Sequence, residues 1–265
     1  MKFKLRQKIV KISSGADHLV FLTNTGEVYT AGNSEHGQLG RISKYNSCRG
    51  GRRGCDMILE PGLVRFAKRK ELQGHRQIED IFTTSYCTFL KVKDSDLTIG
   101  FGLNNCFQLG IEDAENRYQP DILQSLKFEN GAKIKKVIGG MHHTLFLDTN
   151  GFVYSMGSHR YGCLGHGKID ADLKIPQKIA DLKDVVDIAA NTNVSYAIDK
   201  HGKVFNWGTN YSKQLGQDTE DDYFVPTLLQ SKQLDARDCR SVSIGGQHAL
   251  FIVSDEKDKD SDESM

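Results

Sequence analysis

Residues 13–41 read SSGADHLVFLTNTGEVYTAGNSEHGQLGR, and most of this stretch returns, in order, three more times downstream. Its skeleton is Gly-x-x-His, an apolar run, then Gly26-x-Val28-Tyr29-x-x-Gly32, and after four residues Gly37-Gln38-Leu39-Gly40. The second half recurs as Gly151 through Gly157 with Gly162-Cys163-Leu164-Gly165, and as Gly202 through Gly208 with Lys213-Gln214-Leu215-Gly216. A weaker copy runs from Asp96 through Gly102 to Phe107-Gln108-Leu109-Gly110. The first and last slots lie fourteen residues apart in all four copies, a spacing that marks a repeat protein.

Within each copy, short apolar runs are bounded by Gly, Asn or Asp, which is strand-and-turn punctuation. Leu19–Leu22 reads as a strand, Thr23–Gly26 as a hairpin turn and Glu27–Ala31 as the returning strand. The Gly32-type positions fall at 32, 102, 157 and 208, a period that suits propeller blades of about four short strands better than solenoid coils. No helix is read. A fifth copy stops after its first strand, at Gly245-Gly246-Gln247-His248 and the apolar run to Val253. Residues 254–265 are Ser, Asp, Glu and Lys with one Met, which predicts a disordered acidic tail. The expected architecture is therefore all-β. Residues 1–253 make an open, partial β-propeller of about four blades plus one half blade.

Stacking the copies separates two neighbouring slots. His18, Cys87, His143, Val194 and His248 share one, a mixture that suits a packed interior. Asp17, Tyr86, His142, Asn193 and Gln247 share the slot before it. Successive residues of an extended segment point opposite ways, so the second set is expected to face outward at one end of the ring.

Between Arg41 and Arg76 the pattern is interrupted by an insertion, placed at about 42–76. This stretch holds ten Lys/Arg against Asp56, Glu60 and Glu71, with a glycine-rich centre at Cys48-Arg49-Gly50-Gly51-Arg52-Arg53-Gly54. Arginine's planar fork suits carboxylates and phosphates. The run lacks the Gly-Lys-Ser/Thr ending of a phosphate-binding loop, so no nucleotide site is read there.

Composition narrows the class. The 265 residues are 38% apolar with a net charge of +1, an ordinary globular balance with no overall pull toward nucleic acid. No apolar run approaches the ~20 residues of a membrane span, and the basic start MKFKLRQKIV is not followed by a secretory signal. The six cysteines, Cys48, Cys55, Cys87, Cys106, Cys163 and Cys239, form no C-x-x-C pair and are expected to be reduced thiols in an intracellular compartment. No Ser-His-Asp set, paired carboxylates, converging metal ligands or cofactor motif stands out. No catalytic residue, metal or cofactor is expected.

Several of these stretches together resemble the regulator of chromosome condensation family: Ser14 through His18, Gly32 through Arg41, Arg49 through Gly54, Gly139-Gly140-Met141-His142-His143-Thr144, and Ile244 through His248. The resemblance covers about residues 9–254. It implies a seven-bladed propeller, of which this chain corresponds to the C-terminal portion, without the family's front blades and wedge-like hairpin. It implies a chromatin-associated nuclear exchange factor for the small GTPase Ran, linked to nucleocytoplasmic transport and mitosis. Asp17, Arg41 and His142 match residues of the family's GTPase-binding face. Arg49, Arg52 and Arg53 fall in the loop that docks on histones at the acidic patch of the nucleosome, with loose DNA phosphate contact as the blander reading of the same loop. The competing reading for Asp17 and His142 is that they close their own turns, and for Arg41 that it is a solvated charge. His18, His143 and His248 are expected to be structural, bonding backbone groups between strands, along with Gly32, Gly40, Gly157, Gly165, Gly208 and Gly216. The alternative for the whole chain is a non-exchanging repeat scaffold that binds the nucleosome acidic patch or another protein.

Overall fold

The computed structural model describes residues 7–47, 58–66, 77–234 and 237–254. Strands follow the glycine punctuation throughout. The first sheet is a four-stranded antiparallel meander of β1 (Ile9–Ser14), β2 (His18–Thr23), β3 (Val28–Gly32) and β4 (Gly62–Leu63). The second contains β5 (Ile78–Thr83), β6 (Cys87–Val92), β7 (Thr98–Gly102) and β8 (Arg117–Ile122). The third contains β9 (Ile134–Gly139), β10 (His143–Asp148), β11 (Val153–Gly157) and β12 (Leu173–Lys178). The fourth contains β13 (Val185–Asn191), β14 (Val194–Asp199), β15 (Val204–Gly208) and β16 (Tyr223–Leu228). Only β17 (Cys239–Ile244) and β18 (Ala249–Val253) form the fifth. These sheets are successive blades. The first strands β1, β5, β9, β13 and β17 contact one another in order and form the hub of the fan.

The apolar core lies between blades rather than inside any one of them. Strand residues alternate faces, so neighbours on one strand serve different cores. Leu90 packs with Val20, Leu22 and Val28 of the first blade, while its neighbour Phe89 packs with Phe146 and Met156 of the third. Leu145 and Phe146 split the same way, toward the fourth and second blades. Trp207 is fully buried at the third junction.

The two ends of the fan show what this sharing means. Ile12 is 59% exposed although its counterparts Ile81, Val137 and Ile188 are buried, and Leu250 is 66% exposed where Phe89 and Leu145 are buried. Among the described residues the arc stays open. The inserted stretch is not wholly a loop, since its Gly62–Leu63 supplies the outer strand of the first blade by pairing with Thr30 and Tyr29. One helical turn at Lys44–Ser47 precedes it, where no helix was expected. Arg49, Arg52, Arg53 and residues 255–265 of the tail lie outside the described residues.

Polar chains staple the blade junctions. At the first, Thr88 donates its hydroxyl to the Gln38 carbonyl (3.0 Å) and stands 3.0 Å from His18 Nε2. At the third, Ser195 donates to the Cys163 carbonyl (3.0 Å) and stands 3.0 Å from His143 Nε2. A hydroxyl carries one proton, so each imidazole must be the Nε2–H tautomer donating to that oxygen. Each ring thus meets a hydroxyl on the next blade, where bonding to backbone groups was expected. Where the histidine slot holds Val194, the facing slot holds Ala249, so at that junction both positions are apolar. His248 is exposed, with no following blade among the described residues.

Burial holds His18 down to about 4, with nearby Asp17 opposing, and His143 down to about 3. An unfolded histidine titrates near 6.5. Above that pH the two rings cost nothing. Below it the unfolded chain takes up protons that the fold refuses, so stability falls as pH drops from 6.5 toward the folded values. At pH 5 the loss is about 2 kcal/mol per ring. Thermal melts between pH 7.5 and 5 should therefore fall clearly. A His18→Gln/His143→Gln double variant, whatever its stability at pH 7.5, should show a flatter profile; parallel profiles would refute the assignment.

Candidate protein-binding rim

The turns that join first and second strands are strapped together at one end of the fan. Ala16 N–H donates to the Ser85 carbonyl (2.9 Å), Ser85 N–H to Gly140 (3.3 Å) and Met141 N–H to Thr192 (3.3 Å). Asn191 Nδ2 continues the belt to the Ile244 carbonyl (3.5 Å). Every junction is thus bridged at the same level. Asp17, Tyr86, His142, Asn193 and Gln247 emerge from this belt on one rim, and all five are half-buried or exposed.

The repeat glycine explains how that rim is held. Gly32, Gly102, Gly157 and Gly208 take φ between +112 and +122, and a Cβ on any of them would run into the carbonyl of Asp17, Tyr86, His142 or Asn193. A side chain there would be strained and would also clash. The residue after each glycine donates its N–H to that same carbonyl, at 2.9, 3.0, 2.8 and 3.1 Å. The glycine slot therefore clamps the backbone of each rim residue.

Asp17 is partly committed to its own blade. Asn33 Nδ2 donates to one carboxylate oxygen (2.9 Å) and Gln38 Nε2 to the other (3.1 Å), while the side chain keeps 33% of its surface exposed. The carboxylate ties the turn and still shows an edge to solvent. His142 is half-buried. Burial first, then Arg160, lower its pKa against the pull of Asp172, so a neutral ring is favoured on the rim. It lines a polar cleft of about 580 Å³ between the end loops of the second and third blades.

Arg41 is placed differently from both. Its guanidinium donates to the Thr30 carbonyl (3.1 Å) and the Glu60 carbonyl (3.0 Å), bridging β3 to the segment that leads into β4. Arg41 is half-buried and engaged with its own blade. Polar residues of β3, β11 and β15 that sequence reasoning passed over are engaged in the same way. Thr30, Ser155 and Asn206 each bond the carbonyl of the turn leucine, Leu39, Leu164 or Leu215. Their signal was present as a small polar residue two before the glycine of each strong repeat.

Among the described residues no cluster of His, Cys, Asp and Glu could hold a metal, no helix is long and apolar enough to cross a membrane, and Cys87, Cys106, Cys163 and Cys239 are free thiols. Burial pushes Cys87 and Cys163 up to about 12, so both stay protonated and inert as nucleophiles.

A fan of meander blades with a strapped, variable polar rim is an open, partial β-propeller. The chain belongs to the RCC1-like domain family, whose model matches residues 1–251. It is 38% identical over 257 residues to the human Regulator of chromosome condensation, covering 97% of this chain and 60% of that protein. It is 26% identical over 262 residues to the yeast Guanine nucleotide exchange factor SRM1, covering 92% of this chain and 50% of that one. Among solved structures it is similar to Prp20p from Saccharomyces cerevisiae, described with its binding properties to Gsp1p and histones. The TM-score is 0.80 at 24% identity, over 96% of this chain and 58% of that one, which shows a shared fold. The chain thus spans about three fifths of the human relative's length.

Removing the Arg41 guanidinium takes a donor from the carbonyl of buried Thr30, while the exposed Glu60 carbonyl turns to water. Arg41→Ala should lower stability by about 1 kcal/mol, read from urea unfolding. An unchanged midpoint would show that the bridge is not structural.

Proposed function

We propose that this chain carries the Ran-facing rim of a chromatin-associated guanine-nucleotide exchange factor. The observation that carries the reading is the common emergence of Asp17 and His142 from one hydrogen-bonded belt, in a chain of the RCC1-like domain family. The yeast relatives named for nucleotide exchange and described as binding Gsp1p and histones support it.

Exchange of this kind makes and breaks no covalent bond. A factor that prefers the nucleotide-free GTPase lowers nucleotide affinity by the same ratio, because the two binding equilibria are linked. The rim suits that task. Its backbone is clamped by the glycine slots, so ordering costs on docking are small. Its side chains offer a carboxylate edge at Asp17 and a neutral imidazole at His142. Arg41 contributes by holding the outer strand of the first blade rather than by meeting the GTPase. The basic loop with Arg49, Arg52 and Arg53 is the proposed histone contact, by bidentate pairing with clustered carboxylates, and a nuclear, chromatin-associated protein is proposed with it.

A second reading is a scaffold that binds without exchanging. It is favoured by the engagement of Asp17 and Arg41 within their own blade. Release of a fluorescent nucleotide from Ran separates the two, since only an exchange factor accelerates it. Binding of nucleotide-free Ran should weaken at least tenfold in an Asp17→Ala/His142→Ala variant that melts normally; undiminished binding would remove the rim from the interface. Changing Arg49, Arg52 and Arg53 together to Ala should abolish nucleosome pull-down, and retained pull-down would exclude the loop as the histone contact.

A further inference from the structure

The end loop of the third blade departs from its three counterparts, and the cleft at His142 opens beside it. In the first, second and fourth blades a glutamine amide oxygen caps this loop. Gln38, Gln108 and Gln214 accept the N–H of His36, Cys106 and Ser212, each at 2.9 Å. The third blade has Cys163 in that slot, and its thiol donates to the carbonyls of Arg160 (3.4 Å) and Ser158 (3.7 Å) instead. With the amide cap gone, the backbone turns one residue early. Tyr161 takes a φ of +67, whereas in the other loops the positive φ begins one residue later, at Gly37, Phe107 and Lys213. A bulky residue in the left-handed region is held there against its own preference, and Tyr161 is 50% exposed.

The charges in the cleft are unbalanced. Its one carboxylate, Asp172, is occupied by His159, which offers both Nδ1 (2.7 Å) and its backbone N–H (3.0 Å) to the same oxygen. Arg160 and Lys174 line the same space and have no carboxylate within ion-pairing distance among the described residues. Lys174 Nζ lies 5.3 Å from the centroid of Phe107, so the cationic end is backed by an aromatic wall. The cleft, about 580 Å³, is large enough for a whole side chain and is wetted by polar groups on most sides.

We infer that this cleft receives an acidic side chain, aspartate or glutamate, of the GTPase docked on the rim, with Arg160 and Lys174 as its cationic partners. The inference rests on the rim reading above. Arginine's fork donates to both oxygens of a carboxylate, and Tyr161 and Phe107 supply apolar contact for the methylenes that carry it. Both cations are exposed in the free chain and need no rearrangement to meet an incoming acid.

The test is affinity and association rate of nucleotide-free Ran for the full chain at low and moderate salt. It compares wild type with Arg160→Glu, Lys174→Glu and the double variant. Lys127→Glu, an exposed lysine on a cleft at the opposite end of the strands, is the control. The double reversal should weaken binding at least tenfold, mostly through slower association, and should flatten the salt dependence. The control should remain within twofold of wild type. Wild-type binding with the double variant also within twofold would overturn the acidic-pocket inference and leave the rim reading intact. Absence of wild-type binding would overturn the rim reading itself.

Discussion

Everything in this molecule depends on apolar contact between the faces of neighbouring blades. No four-stranded sheet here owns a core, because alternate residues of each second strand are divided between the blade before and the blade after. Burying Leu90 requires the first blade and burying Phe89 requires the third. The stability of each blade is therefore a nearest-neighbour quantity, as in other repeat proteins. The exposed Ile12 and Leu250 at the two ends mark where that neighbour term is missing.

Once the blades are packed, two polar systems fix their registration. One is the chain from histidine through hydroxyl to turn carbonyl, which locks the buried imidazoles as neutral tautomers. The other is the belt of hydrogen bonds at the rim, backbone to backbone except for the Asn191 amide. Both cross blade boundaries, and both would be unsatisfied if a blade slipped or rotated. Buried donors and acceptors left without partners are costly, so these contacts convert a non-directional apolar contact into a defined geometry. The rim is rigid as a consequence, and a rigid rim can prefer one state of a partner over another.

The repeat slots show how far a sequence of this kind can be read. Asp17 and His142 were separable from His18 and His143 by alternation alone, and the structure puts the first pair outward and the second inward. Arg41 was not separable in this way. Nothing in its local spacing tells that its guanidinium closes on the Thr30 and Glu60 carbonyls, because Glu60 arrives from the far side of the insertion. Gly62–Leu63 escaped for a similar reason. Two residues carry no periodicity, and the pairing partner rather than the sequence makes them a strand. The rearranged loop at Tyr161 was visible as Cys163 replacing glutamine, but its meaning required knowing what the glutamine oxygen does.

By itself the sequence determined the number of blades, the central hairpin of the repeat, and the inward and outward slots. These follow from local constraints, since turn chemistry and strand alternation act over a few residues. The tertiary structure alone decided which hydroxyl meets which imidazole, where Arg41 is spent, and which end loop opens into a cleft. Those contacts join residues such as His18 and Thr88 or His143 and Ser195, far apart in the chain. They exist only after two sheets have buried their shared face, and no local pattern specifies the distance between groups that meet across it.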